Sequence, residues 1–341
     1  MASLTPEELA KTGEVDQELL QIMKSLNVQT PQPKDIFEVR KWFDARENSL
    51  VESYGPTPPD MLEHDQEVPV ADGSQIRLRI TKPKDFKDGP LVVLYHLGGF
   101  CVGSPVSDLA TSRSLVRSFG AVCVSVGYRL APEHKFPIPI EDSWTALQWV
   151  AENAKTLGAD PAKGFILGGT SAGGNAAAVL SHMARDEKLS PPLTGQYLCI
   201  PAVLSEQVAE KGLPEEWKPY YFSHHQNANA PVLGQKAVEL LYSQYQPDHD
   251  DPRFSPYLWL NGHKGLPPAY FQVCGADPLR DEAIVYEMAL RQQGGVRTKM
   301  DMYPGLPHEF WGMFTTHSQS KKFHEDVVKG FSWLLDLEPQ R

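Results

Sequence analysis

Cysteine is scarce in this chain, and the few cysteines stand far apart. The 341 residues include four, with no C-x-x-C pair among them: Cys101, Cys123, Cys199 and Cys274. Metal centres and disulfide frameworks use grouped or paired cysteines, whereas three of these four lie in or beside apolar, strand-like runs. The pattern favours buried, reduced thiols over a metal site or a disulfide-stabilised fold.

Positive charge and long apolar runs are also in short supply. Lys and Arg number 32 against 43 Asp and Glu, so the formal net charge is −11. An acidic chain without basic runs argues against nucleic acid or an anionic membrane as the main partner. No apolar run approaches the roughly 20 residues that span a bilayer, the start of the chain lacks the pattern of a signal peptide, and no N-x-S/T sequon occurs. We therefore expect a cytoplasmic protein.

What the sequence does contain, from residue 91 onward, is a regular alternation of apolar strands and amphipathic helices. Hydrophobic residues make up 41% of the chain, enough for a large core. Strands are predicted at 91–96, 121–127, 164–168, 196–201, 269–274 and 298–303, and helices at 106–118, 141–157, 172–186, 279–293 and 321–335. Such alternation is typical of an α/β fold with a parallel sheet covered on both faces.

Residues 1–55 do not fit this alternation. They begin with a capping-box signal at Thr5 and continue with apolar residues at helical spacing as far as Met23. A second helix is predicted at 34–47. With no place in the sheet, this segment is predicted to be an N-terminal helical cap.

The remaining residues, 56–341, are predicted to form one catalytic domain. It opens with a hairpin at 68–80 around Asp72-Gly73. Residues 202–262 interrupt the alternation with aromatic, Pro-rich and Asn-rich sequence and one helix near 235–245. This stretch is too long for a plain loop, so we predict an inserted cap over the carboxyl edge of the sheet.

The most informative motif is GTSAG at residues 169–173, between an apolar strand and an Ala-rich helix. A serine at the tip of such a tight strand-to-helix turn exposes its hydroxyl, and the flanking glycines avoid clashes in a strained turn. Ser171 is therefore the candidate nucleophile.

A matching acid and base follow two later strands. Asp277 comes after the strand at 269–274, and His308 after the strand at 298–303. Alone, Asp277 could merely cap the next helix, and His308 could be a surface histidine. Together they stand in the order Ser, Asp, His on consecutive post-strand loops, as a Ser-His-Asp mechanism on such a sheet requires. Asp281, one turn further on, is the fallback acid.

Donors for an oxyanion are expected upstream. The strand at 91–96 runs into HLGGF at 96–100, where consecutive glycines leave backbone N–H groups unobstructed. An ordinary Gly-Gly turn is the alternative. We predict an oxyanion hole formed by the amides of Gly98, Gly99 and Ala172.

These motifs resemble those of the hormone-sensitive-lipase-like branch of the α/β hydrolases, the family IV esterases. The resemblance rests on HLGG at 96–99, YRLAPEH at 128–134, GTSAGGN at 169–175, DPLRDE at 277–282 and His308, and it covers about residue 60 to the end. It implies an α/β-hydrolase fold, a Ser171, Asp277 and His308 triad, an oxyanion hole at the predicted amides and no cofactor or metal. The chain also resembles fungal members found beside secondary-metabolite pathways.

Three residues depart from the family pattern. Leu97 replaces the first glycine of His-Gly-Gly-Gly, Gly127 replaces the aspartate that usually precedes YRLAPE, and Glu309 replaces the glycine that commonly follows the catalytic histidine. The aspartate's hydrogen bond to the oxyanion loop would then be missing. Glu309 could raise the His308 pKa or face solvent, and the sequence does not choose. The coincidence of the three suggests an unusual substrate or reaction.

The expected function is hydrolysis of a carboxylic ester or thioester of a small hydrophobic molecule through an acyl-enzyme. Alternatives are a thioester hydrolase acting on an acyl-carrier protein, a non-hydrolytic catalyst of cyclisation, aldol or dehydration steps, and a hormone-receptor-like binding module, which the presence of His308 disfavours. The absence of a G-x-G-x-x-G fingerprint disfavours a dehydrogenase. Because dimers are common in the family, the resemblance also allows a homodimer.

The substrate pocket is the least determined part of the site. Leu97 and Phe100 flank the predicted oxyanion loop, and the aromatic stretch of the inserted cap supplies Trp217, Tyr221 and Phe222. All five are candidate lining residues. For Trp217, Tyr221 and Phe222, a purely structural role in the cap core is the alternative.

Overall fold

The computed structural model describes residues 4–25, 35–85 and 88–339. Its centre is an eight-stranded sheet: β1 (Met61–Pro69), β2 (Gln75–Pro83), β3 (Leu91–Tyr95), β4 (Val122–Gly127), β5 (Phe165–Thr170), β6 (Gly195–Cys199), β7 (Ala269–Cys274) and β8 (Thr298–Tyr303). The spatial order is β1-β2-β4-β3-β5-β6-β7-β8. β2 pairs antiparallel with β1 and β4, and the other five pairs are parallel. The prediction of a mostly parallel sheet is confirmed.

The described residues also contain the following α-helices: α1 (Pro6–Thr12), α2 (Gln17–Ser25), α3 (Ile36–Tyr54), α4 (Leu109–Phe119), α5 (Ile138–Leu157), α6 (Ala172–Asp186), α7 (Glu206–Gly212), α8 (Ser223–Gln226), α9 (Gln235–Tyr245), α10 (Arg280–Met288), α11 (Phe310–Met313) and α12 (Ser318–Leu335). Short 3₁₀ turns occur at Pro105–Asp108, Pro161–Lys163, Lys218–Tyr220 and Pro256–Leu258, and α10 continues as a π-helical stretch at Ala289–Gln293.

Helices cover both faces of the sheet because its central strands are apolar on both sides. Along β3, Leu91, Val93 and Tyr95 pack in one cluster with α5 and α6. Val92 and Leu94 point the other way and pack with α4 and α12. This alternation follows from the two-residue period of a strand, and it explains why β3 reads as an uninterrupted apolar run.

The N-terminal helices differ from their predicted bounds. The capping box is confirmed, since Thr5 and Glu8 exchange hydrogen bonds at the start of α1. However, the chain leaves the helix at Gly13, and the Asp16 carboxylate accepts the N–H of Leu19 to start α2. The second predicted helix, 34–47, extends to Tyr54, and its first residue lies outside the described residues.

The hairpin and the inserted segment also contain more structure than predicted. The turn at Asp72-Gly73 is present, but β1 starts at Met61, because an edge strand with mostly exposed residues carries little apolar alternation. Within 202–262, the helix at 235–245 is confirmed. The structure adds α7 and α8, which are too short to show a helical period.

The cysteine prediction is confirmed. All four cysteines are free and buried. Burial raises the pKa of the Cys101 and Cys199 thiols to about 12, so both are protonated near neutral pH. Across the described ranges, no helix combines the length and apolar character needed to cross a membrane.

Candidate active site

Ser171 is the single residue between β5 and α6, and its backbone is strained. It has φ +58° and ψ −115°, in a region that non-glycine residues rarely adopt. A Cβ atom on Gly169 would lie 2.2 Å from the carbonyl oxygen of Gly173, and one on Gly173 would lie 1.8 Å from that of Tyr95. Both glycines of the motif are therefore required by close backbone approach, and the turn presents the Ser171 side chain at the carboxyl edge of the sheet.

The two other predicted residues meet Ser171 there. Asp277 follows β7 and His308 follows β8, and carboxyl ends of parallel strands share one edge. His308 Nε2 lies 2.9 Å from Ser171 Oγ, and His308 Nδ1 lies 2.6 Å from Asp277 Oδ2. A carboxylate only accepts, so Nδ1 carries the proton and Nε2 offers its lone pair to the serine hydroxyl.

The carboxylate of Asp277 is itself held in place. Its other oxygen, Oδ1, accepts the N–H of Leu279 at 2.9 Å, and the residue is 1% exposed. A fixed, buried acceptor orients the imidazole of His308. The arrangement can activate a hydroxyl for nucleophilic attack and return the proton to a leaving group.

Asp281, the fallback acid, is engaged elsewhere. It is fully buried in an ion pair with Arg280 at 2.7 Å, and it accepts the backbone N–H groups of Phe222 and Ser223. It therefore anchors the inserted segment against α10.

The glycine loop after β3 has the backbone conformation that only glycine takes readily. Gly98 and Gly99 have φ +123° and +61°, and a Cβ on Gly98 would lie 2.1 Å from the carbonyl oxygen of Val102. Gly99 and Ala172 line the same pocket as Ser171, and Gly98 is adjacent in sequence. Their service as oxyanion donors stays a prediction.

That pocket is apolar and encloses about 370 Å³ of empty space, including solvent at its mouth. Besides Gly99, Ser171 and Ala172 it is lined by Phe100, Ala202, Leu233, Val238, Leu241, Tyr242, Phe254 and Leu279. Phe100 is the one residue of the predicted pocket set that the structure places here. Sequence reasoning missed the wall around α9, whose apolar residues carry no sign of what they face.

The structure does not bring the other predicted lining residues to this pocket. Trp217 packs with Leu204 and Val208 in a separate cluster. The Tyr221 hydroxyl donates to the carbonyl of Leu204 at 2.8 Å, and Phe222 lies under the Arg280 guanidinium. These three aromatic side chains of residues 202–262 thus pack away from the pocket beside Ser171. Leu97 lines a second cavity, which α3 and Glu309 also border.

Glu309 neither faces solvent nor stands free beside His308. It is 6% exposed, and both its carboxylate oxygens accept hydrogen bonds from Arg46 of α3. Its φ of +56° explains why a glycine suits this position. The N-terminal segment is thereby joined by an ion pair to the residue after His308.

The N-terminal segment also holds the glycine loop after β3, a contact that sequence reasoning missed. Arg40 Nε donates to the carbonyl of Cys101 at 3.1 Å, and Glu47 accepts from Ser104 N at 3.2 Å and Ser104 Oγ at 2.8 Å. Tyr128 Oη donates to the carbonyl of His96 at 2.7 Å. The sequence did carry a signal for these contacts. One face of α3 presents two charged side chains among apolar ones, because Ile36, Arg40, Phe43 and Glu47 recur at three- and four-residue spacing.

The environment of Gly127 excludes the aspartate that the family pattern has before YRLAPE. A Cβ there would lie 2.8 Å from the carbonyl oxygen of Arg77 and 2.9 Å from Pro105 Cγ. The loop after β3 is held instead by hydrogen bonds from Arg40 to the carbonyl of Cys101, from Ser104 to Glu47 and from Tyr128 to the carbonyl of His96.

One group of side chains elsewhere has the ligand types of a metal site. Asp16, Glu18 and His317 bring ligand-type atoms within 4.8 Å of one another. However, His317 Nδ1 accepts the N–H of Gln319 at 3.1 Å, so Nε2 carries the proton and donates to Asp16 at 3.0 Å. This tautomer leaves no lone pair for a cation, and the group does not fit a metal.

The chain is similar over most of its length to known proteins. A family profile described as alpha/beta hydrolase fold matches residues 92–312. An AB hydrolase superfamily protein of Schizosaccharomyces pombe is 40% identical over 95% of each chain. The versiconal hemiacetal acetate esterase of Dothistroma septosporum is 34% identical over 84% of this chain and 86% of its own. The crystal structure of vibralactone cyclase superposes with a TM-score of 0.85 at 32% identity, covering 96% of both chains.

Proposed function

Since the chain belongs to the α/β hydrolases, in their hormone-sensitive-lipase-like branch, we propose that it is a serine esterase that cleaves a carboxylic ester of a small molecule through an acyl-enzyme. The observation that carries the proposal is the continuous hydrogen-bond path from Asp277 through His308 to the strained Ser171. The relative named as an acetate esterase supports the same class of substrate.

In the first half-reaction, Ser171 Oγ forms a bond to the ester carbonyl carbon while its proton passes to Nε2 of His308. The carbonyl electron pair moves onto oxygen, which accepts hydrogen bonds from the amides of Gly98, Gly99 and Ala172. Each such donor contributes about 3 kcal/mol to transition-state stabilisation where it has been tested elsewhere. Collapse of this intermediate breaks the bond to the alcohol oxygen, which takes the proton from His308.

In the second half-reaction, water replaces the alcohol. His308 removes a proton from water, the hydroxide attacks the acyl carbon, and Ser171 Oγ leaves with the proton returned by His308. Asp277 keeps the proton of His308 on Nδ1 and stabilises the imidazolium. Residues 1–55 and 202–262 act as caps, a role supported by the contacts of α3 with the oxyanion loop and by the pocket wall around α9.

A second candidate is lactone formation on the same acyl-enzyme. The similarity to the protein named vibralactone cyclase, over 96% of both chains, favours it. The chemistry differs only in the nucleophile of the second half-reaction: a hydroxyl on the acyl chain, rather than water, attacks the acyl carbon and gives its proton to His308.

Turnover of p-nitrophenyl 5-hydroxypentanoate in H₂¹⁸O separates the two candidates. Because water supplies the new oxygen in hydrolysis, we expect the released hydroxy acid to carry one ¹⁸O atom, measured by mass spectrometry. Unlabelled lactone as the main product would instead favour cyclisation. Reactions without enzyme and with Ser171→Ala correct for spontaneous ring closure, and p-nitrophenyl pentanoate, which has no internal nucleophile, is the matched control.

The ion pair between Arg46 and Glu309 gives a prediction about His308. Arg46→Gln leaves a buried Glu309 carboxylate unpaired beside His308, and we expect kcat for p-nitrophenyl acetate to fall about tenfold, since small displacements of a catalytic group are costly. Adding Glu309→Gln should restore most of the loss, because both charges are then absent.

Lys41→Gln is the control for this prediction. Lys41 lies on the same helix and is exposed, so its replacement removes the same charge from a position on the surface. Stopped assays and thermal melts on all four proteins compare activity with stability. Equal losses of kcat in Lys41→Gln and Arg46→Gln would mean that the loss reflects the charge of α3 and not the ion pair with Glu309.

A further inference from the structure

The Asn-rich stretch of the inserted segment lies against the loop that carries the proposed catalytic acid. This loop, residues 275–279, is called the acid loop below. Asn227 follows α8 directly and is 5% exposed. Its Nδ2 atom donates to the carbonyl of Asp277 at 2.9 Å and to the carbonyl of Gly275 at 3.2 Å. One side chain therefore joins the inserted segment to the backbone from which Asp277 reaches His308.

The acid loop is also bonded to the chain that leads to His308. The N–H of Gly275 donates to the carbonyl of Tyr303 at 2.8 Å, and the N–H of Ala276 donates to the carbonyl of Leu306 at 3.0 Å. These bonds stop one residue short of Asp277. Among the described residues, Asn227 is the only side chain that donates to the carbonyl of Asp277 itself. The placement of the acid thus depends on a contact from the inserted segment.

Asn227 is itself held firmly. Its N–H donates to the carbonyl of Ser223 at 2.8 Å, and its carbonyl accepts the N–H of Ala230 at 2.9 Å. Ser223 in turn fixes α8 to the acid loop, since its Oγ donates to the carbonyl of Pro278 at 2.6 Å. A donor with a fixed backbone restrains its acceptor instead of following it, as the support of a catalytic group requires.

We propose that Asn227 is a positioning residue, which sets the distance and direction of the Asp277 carboxylate toward His308. The proposal rests on the proposed esterase function. Asp277 Oδ2 lies 2.6 Å from His308 Nδ1, and a hydrogen bond this short weakens when its acceptor moves or turns. Displacement of the acid loop would therefore reduce both the orientation of the imidazole and the stabilisation of the imidazolium that forms when Ser171 gives up its proton.

Asn227→Leu tests the proposal, because it removes both donors at similar size and adds no charge. Each carbonyl keeps a partner on Arg280: its N–H bonds to Asp277 and its guanidinium to Gly275, both at 3.1 Å. Neither acceptor is left unsatisfied, so we expect Tm to fall by only about 2–4 °C. We expect kcat for p-nitrophenyl acetate to fall about tenfold, with KM within about twofold of wild type, since the substrate pocket is unchanged.

The pH dependence of kcat/KM separates positioning from folding. Neutral His308 is the active form, so kcat/KM falls on the acid side as His308 is protonated. A carboxylate that is less well placed stabilises the imidazolium less, so the half-maximal pH of this acid limb should fall by about half a unit in Asn227→Leu. The substitution leaves the neighbouring ion pairs intact: Arg280 with Asp281, His224 with Glu282, and Arg46 with Glu309.

The proton between His308 and Asp277 gives a readout that needs no substrate. A proton in a short hydrogen bond to a carboxylate resonates far downfield in a ¹H NMR spectrum. We expect such a resonance in wild type and its loss in His308→Gln, which assigns it. In Asn227→Leu the resonance should move upfield or broaden through exchange with water.

Asn175→Leu is the matched control. Asn175 is a buried asparagine whose Nδ2 donates to two carbonyls of the inserted segment, those of Ala202 and Phe254, both at 2.6 Å, with no bond to the acid loop among the described residues. It should lose stability but keep the wild-type acid limb and resonance. Equal shifts in both variants would overturn the proposal, because the inserted segment would then act through folding alone.

An unchanged acid limb and resonance in Asn227→Leu would also overturn it, whatever the loss of kcat. Asn227→Ala removes the same donors without a bulky side chain and gives the same reading if leucine is not accommodated. If wild type hydrolyses no ester, the esterase function fails, and the resonance still decides whether Asn227 positions Asp277.

Discussion

Replacement of Ser171 by alanine is expected to lower kcat for p-nitrophenyl acetate by about 10⁵-fold. The loss is large because no other group can form the acyl-enzyme, and His308 then has no hydroxyl to deprotonate. A small residual rate from the oxyanion donors and from substrate binding is expected to remain. The measurement is p-nitrophenolate release, with mass spectrometry of the protein after exposure to a fluorophosphonate.

The fluorophosphonate arm identifies the nucleophile directly. In wild type the probe should attach to Ser171 with loss of fluoride, and Ser171→Ala should stay unlabelled. Ser205→Ala is a matched control, since Ser205 is a buried serine whose Oγ has no partner among the described residues. It should keep wild-type turnover and labelling. Substantial turnover by Ser171→Ala would refute the proposed nucleophile.

Gly173→Ala is expected to destabilise the fold as well as the site. The added Cβ would lie 1.8 Å from the carbonyl oxygen and 2.4 Å from the carbonyl carbon of Tyr95, at the end of β3. Backbone atoms in a central strand cannot rotate away, so β3 or α6 must shift. We expect the free energy of unfolding to fall by about 3 kcal/mol or more and Tm to fall by about 5–10 °C.

Activity should fall further than stability in this variant. Movement of α6 carries Ser171 and the Ala172 amide away from His308 and the glycine loop, so kcat should drop even at temperatures where the protein stays folded. Gly212→Ala is the matched control, because a Cβ there meets nothing within 4 Å and the backbone is not left-handed. Melting near wild type for Gly173→Ala would contradict the close approach of α6 and β3.

The features predicted best from the sequence are those with local causes. The elbow at Ser171 needs small residues on both sides, and Gly169 and Gly173 stand next to it in the chain. β7 is buried on both faces, so its apolar run marked it at its observed bounds. β8 is an edge strand of intermediate exposure, and its predicted bounds are also the observed ones. The positions of Asp277 and His308 then followed, because loops after parallel strands share one edge.

The substrate pocket could not be predicted in the same way. Trp217, Tyr221 and Phe222 were favoured because aromatic side chains often line pockets, but burial in the cap core uses the same side chains. The residues that do line the apolar pocket, such as Val238 and Leu241 on α9, look like ordinary helix core. Which face of a helix meets a ligand depends on how that helix docks.

The sequence by itself determined the α/β architecture and the order of the candidate nucleophile, acid and base, because these depend on local periodicity and on short motifs. Only the tertiary structure decided what Leu97, Gly127 and Glu309 do. Glu309 pairs with Arg46, which is 263 residues away in the chain, and Gly127 makes room for Pro105. Leu97 lines a cavity that α3 helps to form. Long-range packing of this kind leaves no periodic trace in a sequence, because the partners stand on different elements of the fold.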